Sequence, residues 1–211
     1  AAYVMAATGE QVTYRQLHER ANQIARLFRS LGLQPGDHIA FCAENHPWFL
    51  SIAWGAHYAG LYYTAISSRL TAEEAAYIVD DCGARVLVLS AKKQDLAEGL
   101  DGQTPKVEHR FLLDGTRDGY ASFEDAVAAQ PTDDLDDATE GMDMLYSSGT
   151  TGRPKGVKVP LREVPLGTPD ALFMLVAGLF GANPETVYLS PAPLYHAAPL
   201  RFCMQIQRAG G

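Results

Sequence analysis

Residues 61–89 read LYYTAISSRLTAEEAAYIVDDCGARVLVL and predict a strand, a helix and a second strand in succession. The two ends, residues 61–66 and 86–89, are short apolar runs of the kind that form buried strands. Between them, Thr71 and Glu74 form a capping box that begins a helix, and a glycine ends that helix. A strand–helix–strand unit of this kind is typical of an α/β domain with a parallel sheet.

The same alternation extends in both directions along the chain. Toward the N-terminus, a capping box of Thr13 and Gln16 begins a helix, residues 38–42 predict a strand, and a buried helix follows from residue 47 to residue 60. Toward the C-terminus we expect a helix over 92–100, a strand over 107–113, a helix over 122–129 and a strand over 143–146. We therefore expect an α/β fold with a mostly parallel sheet flanked by helices.

The last third of the chain contains three further predicted elements. Residues 169–180 are strongly apolar and predict a buried helix, residues 186–189 predict a strand, and residues 200–208 predict a final helix. The apolar run is about half as long as a bilayer crossing requires, so we expect no transmembrane segment.

The charge balance of the chain argues against one class of partner. Acidic residues outnumber basic ones by 25 to 17, which gives a net charge of -8 and no basic surface for a nucleic acid. We expect no nucleic-acid partner. Much of the negative charge falls in one short stretch, which we interpret as a solvated acidic connection without chemistry: Asp133, Asp134, Asp136, Asp137, Glu140 and Asp143.

The cysteines and histidines indicate neither disulfides nor a metal site. Cys42, Cys82 and Cys203 lie far apart without CxxC spacing, and an odd count fits a reducing compartment, so we expect a cytoplasmic protein with small buried thiols. No metal-ligand spacing relates five of the histidines, and we expect no protein-held metal from them: His18, His38, His46, His57 and His109.

A glycine-rich segment carries the chemistry. Residues 147–156 read SSGTTGRPKG and combine hydroxyls, glycines and two cations. Glycines let backbone N–H groups surround an anion, hydroxyls add donors, and a lysine supplies a charge for a polyphosphate. The spacing GxxGxxKG differs from the usual nucleotide P-loop, in which serine or threonine directly follows the lysine. The alternative interpretation is an ordinary Gly/Ser/Thr turn between strands.

With the preceding tyrosine, this segment reads YSSGTTGRPKG over residues 146–156 and resembles, residue for residue, the phosphate-binding signature of the adenylate-forming superfamily. That superfamily includes acyl-CoA synthetases, peptide-synthetase adenylation domains and luciferases. Residues 59–63 (AGLYY) and 193–196 (PLYH) also resemble family segments and occur in family order. One departure lies after Gly156, where VKVP replaces the common Thr-His-x-Asn type of helix start.

The resemblance implies a reaction in two halves. A carboxylate attacks the α-phosphate of ATP to give an acyl-adenylate and pyrophosphate, and the thiol of coenzyme A then displaces AMP. Magnesium would be carried with ATP. The residues that the resemblance assigns to the phosphates are Ser147, Ser148, Gly149, Thr150, Thr151, Gly152 and Lys155.

Two further residues are assigned by the resemblance to the substrate. His196 would lie beside the acyl carboxylate and the pantetheine channel, although a plain loop histidine is the alternative. Tyr195 would flank the acyl pocket, although a packed loop aromatic is equally consistent with the sequence.

The resemblance also implies that residues 1–211 are an incomplete N-terminal domain. The family segments that bind adenine, magnesium and ribose, the hinge and the C-terminal catalytic lysine lie downstream in relatives, so we expect no catalytic residue in this chain. We expect the 211-residue piece alone to bind ATP weakly and to form no adenylate.

Three functions remain open at this stage. The first is an acyl-CoA ligase for a fatty or other hydrophobic acid, because residues 171–180 and 197–199 suit an apolar pocket. The second is an amino-acid adenylation domain that serves a carrier protein, and the third is a non-catalytic nucleotide- or acyl-binding module. The sequence leaves the acid, the acceptor and the oligomeric state undetermined.

Overall fold

The computed structural model describes residues 1–147 and 153–211. The strands in this part are β1 (Tyr3–Val4), β2 (Gln11–Val12), β3 (His38–Cys42), β4 (Tyr62–Ala65), β5 (Ala84–Ser90), β6 (His109–Leu113), β7 (Ala121–Ser122), β8 (Met142–Asp143), β9 (Leu145–Ser147) and β10 (Lys155–Val157). The helices are α1 (Tyr14–Ser30), α2 (Phe49–Tyr58), α3 (Ala72–Cys82), α4 (Gln94–Leu100), α5 (Phe123–Ala128), α6 (Ala171–Leu179) and α7 (Ala197–Arg208).

A six-stranded sheet organises the chain, with the strand order β7-β6-β5-β3-β4-β8. Every neighbouring pair in this sheet is parallel. Two small antiparallel pairs, β1 with β2 and β9 with β10, lie outside it. The predicted α/β fold with a mostly parallel sheet is therefore confirmed.

Helices cover both faces of the sheet. Since successive side chains of a strand point to opposite sides, each central strand contributes to two cores. In β3, Ile39 and Phe41 face a core that includes α1, α2 and α5. Ala40 and Cys42 face a second core that includes α3 and α4. Burial of a side chain such as Phe41, which is 1% exposed, stabilises the fold by about 1.5–3 kcal/mol.

Both predicted capping boxes are present. The backbone N–H of Gln16 donates to Oγ1 of Thr13 at 3.2 Å, and the N–H of Thr13 donates to Oε1 of Gln16 at 2.9 Å. Thr71 and Glu74 make the same reciprocal pair at the start of α3. Gly83 ends α3 with a φ of 72°, a left-handed conformation that favours glycine.

The region after β10 differs from two predictions. The predicted buried helix is α6, but most of its surface is exposed and only Val176 is buried. An apolar helix needs neighbours on all sides, whereas α6 packs mainly against α7 in the described part of the chain. The predicted strand over 186–189 is absent, and Val187 is 98% exposed, because no described segment pairs with these residues.

The acidic stretch was also interpreted incorrectly at two positions. Glu140 and Asp143 are buried and ion-paired, not solvated. Glu140 Oε2 lies 2.7 Å from Nε2 of His57 and 2.8 Å from a guanidinium nitrogen of Arg208. Asp143 pairs with Arg201 at 2.7 Å. A carboxylate within an acidic stretch can be buried when cationic side chains from distant segments pair with it.

Two of the three cysteines are buried as predicted, and the third is not. Cys42 and Cys82 are buried, Cys203 is half-buried, and all three are free thiols. Burial raises the pKa of Cys42 to about 12 and that of Cys82 to about 11. None of the described helices is both long enough and apolar enough to cross a bilayer.

Candidate functional site

The glycine-rich segment connects the two strands of the β9–β10 hairpin. Across this antiparallel pair Ser147 faces Lys155, Tyr146 faces Gly156 and Leu145 faces Val157. The predicted strand over 143–146 is divided at Met144, because β8 pairs with β4 whereas β9 pairs with β10. Five predicted phosphate-binding residues lie outside the described residues: Ser148, Gly149, Thr150, Thr151 and Gly152.

The other two predicted phosphate-binding residues, Ser147 and Lys155, lie opposite each other at the base of the segment. Directly facing residues of an antiparallel pair project to the same side of the ribbon. Both side chains are exposed, and no carboxylate of the described residues pairs with Lys155. The hairpin therefore presents a hydroxyl and an ammonium group together, a combination that fits an anionic phosphate.

Close packing fixes the hairpin at Gly156. A Cβ atom at this position would lie 2.6 Å from Cε of Met144 and 2.8 Å from Cζ of Tyr146. Any larger residue would displace these side chains from the hairpin. The glycine thus leaves room for the ends of the Met144 and Tyr146 side chains beside the hairpin.

The segment that contains Tyr195 and His196 is held by Asn45, a residue that the sequence analysis missed. Asn45 Oδ1 accepts a hydrogen bond from the N–H of Leu194 at 2.9 Å, and its Nδ2 donates to the carbonyl of Ala192 at 3.3 Å. Because Asn45 follows β3, the signal for it was a polar side chain just beyond the carboxyl end of a parallel strand.

Tyr195 and His196 occupy different environments. Tyr195 is 8% exposed and packs in the core on the α1 and α2 side of the sheet. His196 is exposed at the residue before α7, and its ring centroid lies 4.5 Å from that of Tyr195. The burial of Tyr195 favours the packed-aromatic alternative, while the substrate roles of both residues stay predictions.

The hairpin and the Asn45-bound segment both lie at the edge of the sheet that the carboxyl ends of its parallel strands form. β9 follows β8 and lies against β4, and Asn45 follows β3, which neighbours β4. The chain passes from β3 to β4 on one side of β3 and then to β5 on its other side. In open parallel sheets, ligands bind outside the carboxyl ends of strands where the strand order reverses. Both predicted parts of the site are attached at that edge.

A cavity of about 310 Å³ lies between α6, α7 and β8, and buried charges line it. These are the pairs Glu140–Arg208 and Asp143–Arg201, with His57 beside Glu140. Burial alone raises the pKa of Glu140, but hydrogen bonds and charges from His57 and Arg208 outweigh it and lower this pKa to about 2. Glu140 therefore stays ionised at neutral pH, and its contacts with His57 and Arg208 tie α7 to α2.

The described residues contain no cluster of three or more His, Cys, Asp or Glu side chains that could hold a metal ion. None of the histidines in the described part takes part in such a cluster. His57 and His46 instead pair with carboxylates, namely Glu140 and Asp114.

Comparison with known proteins gives a consistent result. The chain matches the AMP-binding enzyme family over residues 1–211. It is 33% identical over 202 residues to a crotonobetaine/carnitine–CoA ligase of Salmonella paratyphi A, a match that covers 88% of this chain and 37% of the relative. It is 30% identical to a long-chain-fatty-acid–CoA ligase of Thermus thermophilus, with 90% of this chain and 35% of the relative covered.

A third relative uses a different acceptor. The fatty acid–[acyl-carrier-protein] ligase ScoC of Streptomyces coeruleorubidus is 30% identical over 163 residues, which cover 74% of this chain and 29% of the relative. The chain thus spans about a third of the length of these curated relatives.

Solved structures share the fold. The anthranilate CoA ligase AuaEII in complex with anthranoyl-AMP superposes with a TM-score of 0.80 and 27% identity, over 97% of this chain and 40% of that one. The N-terminal domain of FACL13 from Mycobacterium tuberculosis gives a TM-score of 0.79 and 25% identity, over 99% of this chain and 51% of that one. With the family match over its whole length, this chain belongs to the AMP-binding enzymes of the adenylate-forming superfamily.

Proposed function

We propose that residues 1–211 belong to the N-terminal domain of an AMP-forming acid–thiol ligase. The full-length enzyme would activate a fatty or other hydrophobic carboxylic acid with ATP and transfer the acyl group to coenzyme A. The observation that carries this proposal is the β9–β10 hairpin, which sets Ser147 opposite Lys155 at the base of the SSGTTGRPK segment. The remainder of the N-terminal domain and a C-terminal domain would complete the enzyme.

The chemistry of the first half-reaction suits these side chains. When a carboxylate oxygen attacks the α-phosphorus, the bond to the pyrophosphate oxygen breaks and negative charge accumulates on the leaving phosphates. The Lys155 ammonium and the Ser147 hydroxyl would offset that charge, together with Ser148 to Gly152. Magnesium would enter with ATP, since phosphate oxygens are ligands that it prefers. In the second half, the thiol of coenzyme A displaces AMP from the acyl-adenylate.

The relatives and the cysteines support a choice of substrate and of location. Relatives that are named as ligases of fatty acids and the apolar surface of α6 both favour a hydrophobic acid. We place the enzyme in the cytoplasm, in line with three free cysteines, and expect small molecules rather than nucleic acid as partners.

A carrier protein is the alternative acceptor, because ScoC is named as a ligase of fatty acids to acyl carrier protein. An amino-acid adenylation domain is the alternative on the substrate side. Both would share the first half-reaction, so the acceptor assay must be separate from the adenylation assay.

ATP–pyrophosphate exchange by the full-length protein tests the proposal. We expect exchange with fatty acids, none with amino acids, and acyl-CoA formation when coenzyme A is added. Lys155→Ala should lower kcat/KM about a hundredfold, as does loss of other groups that meet developing charge. Its thermal unfolding should match that of the wild type, because Lys155 is exposed.

Lys106→Ala is the matched control, since Lys106 is also an exposed lysine and pairs only with Asp80 in the described part of the chain. Exchange that persists unchanged in Lys155→Ala would contradict the role of this lysine. Absence of exchange with every acid would leave the non-catalytic binding module as the better description.

A further inference from the structure

Helix α3 contacts both flanks of the phosphate-binding segment. Before the segment, the Tyr146 hydroxyl donates a hydrogen bond to Oδ2 of Asp81 at 2.5 Å. After it, the guanidinium carbon of Arg153 lies 5.0 Å from the ring centroid of Tyr77. Tyr77 and Asp81 are four residues apart on α3 and therefore share one face of the helix.

Helix α3 is suited to act as a fixed support. Its first turn is closed by the Thr71–Glu74 capping box and its last by Gly83. Its opposite face is buried in the core through Ile78, Val79 and Cys82. A helix that is capped at both ends and packed along one face can hold a neighbouring loop in one position.

The two contacts differ in nature and complement each other. The hydrogen bond to Asp81 is charge-assisted and short, which fixes the direction of the tyrosine ring. Burial, followed by the hydrogen bond from Tyr146 to Asp81, raises the pKa of the tyrosine hydroxyl, so this group remains a donor. The contact of Arg153 with Tyr77 is a cation–π interaction, which tolerates small displacements better.

The Tyr146 contact acts directly on the hairpin. Tyr146 faces Gly156 across the two strands, and its ring fills the space that a Cβ of Gly156 would take. Asp81 therefore fixes a ring against which β10 packs, and β10 begins with Lys155.

We propose that Asp81 and Tyr77 are positioning residues, which hold the two flanks of the phosphate-binding segment so that Ser147 and Lys155 keep one register toward the phosphates of ATP. This inference rests on the proposed function for its kinetic consequence. The contacts themselves are independent of that function.

Steady-state kinetics of the full-length enzyme provide the first test. We expect Asp81→Asn, which exchanges the charged acceptor of the Tyr146 hydroxyl for a neutral amide oxygen, to raise KM for ATP about fivefold. Tyr77→Leu, which removes the ring under Arg153, should raise it to a similar extent, while KM for the acid stays constant in both variants. Tyr77→Phe keeps the ring under Arg153 and should restore the wild-type KM. Asp80→Asn is the matched control, because Asp80 neighbours Asp81 but pairs with Lys106.

A double-mutant cycle with Tyr146→Phe identifies the path of the effect. If Asp81 acts through the Tyr146 hydroxyl, Asp81→Asn should add no further rise in KM to Tyr146→Phe. Additive effects, or an equal rise of KM for ATP in Asp80→Asn, would overturn the inference.

Limited trypsin digestion without ATP keeps the test independent of activity. Cleavage after Lys155 exposes a new N-terminus at Gly156, and we expect it several-fold faster in Asp81→Asn and Tyr77→Leu than in the wild type and Asp80→Asn. Equal cleavage rates would overturn the inference even in an active enzyme. Faster cleavage in a protein without pyrophosphate exchange would support the contacts and reject only the proposed function.

Discussion

Residues 38–90 and residues 171–189 are both rich in apolar side chains. The first region buries most of them, whereas the second region exposes most of them. In the first region, strands β3 to β5 are covered on both faces, and side chains such as Phe41 and Leu87 are fully buried. In the second region, α6 and the residues after it expose Phe180 to 62% and Val187 to 98%. An apolar run therefore indicates that a segment has side chains to bury. It does not show that other parts of the described chain pack against them.

The energetic consequence follows from burial. Each buried apolar side chain of the sheet region gains its free energy within the described chain, at about 25 cal/mol per Å² removed from water. The exposed side chains of α6 gain almost none of this. We therefore expect the stability of the chain to depend mainly on the sheet region, and three substitutions test that expectation from the largest effect to the smallest.

The first substitution compares the two regions directly. Phe41→Ala in β3 should lower the free energy of unfolding by about 3–5 kcal/mol, because it removes a buried ring and leaves a cavity. Phe180→Ala is the matched control and should change it by less than about 0.5 kcal/mol. Urea unfolding of both variants gives the numbers. Equal losses of unfolding free energy in the two variants would contradict the expectation that stability depends mainly on the sheet region.

The second substitution breaks the ion network that ties α7, the helix against which α6 packs, to α2. Glu140→Gln should cost about 3 kcal/mol at pH 7, because Arg208 and His57 lose their buried carboxylate. Since folding lowers the pKa of Glu140 from 4.5 to about 2, its contribution is present above about 4.5 and is lost as the pH falls toward 2.

The measurement is the free energy of unfolding of wild type and Glu140→Gln between pH 7 and pH 3. We expect the difference between them to be constant down to about pH 4.5 and to shrink below it. A difference that does not depend on pH would mean that the charge of Glu140 is not what joins α7 to α2.

The third substitution removes the link at the carboxyl end of β3. Asn45→Ala deletes the hydrogen bonds to Ala192 and Leu194, and we expect a loss of about 1–2 kcal/mol. Hydrogen exchange should rise at the amide of Leu194 and around it but not in β3 itself. Unchanged exchange at Leu194 would show that Asn45 does not hold this segment.

Much of the sheet region could be predicted from the sequence because local signals agreed there with tertiary packing. The strand His38–Cys42 has the predicted bounds, and the capping boxes at Thr13 and Thr71 begin helices as predicted. In each case the residues that determine the element lie within a few positions of one another.

The features that the sequence did not predict have a common physical cause. Their environments depend on residues that are distant in the sequence. Nothing near Glu140 in the sequence indicates that Arg208 will neutralise it. Asn45 gains its role only when the fold brings the backbone of Leu194 within hydrogen-bond distance. For α6 the apolar pattern predicted the helix correctly, but burial depends on neighbours that a local pattern does not contain. The spacing of Ser147 to Lys155 predicted the phosphate site, and that role stays a prediction.

The lengths of the outermost strands carry a consequence for association between molecules. The sheet ends in β7 on one side and β8 on the other, and each is two residues long. Strands this short leave few unpaired backbone amide groups to which a strand of another polypeptide could add. The long central strands, whose β-rich sequence would favour fibril formation if it were accessible, are thereby kept from serving as a template.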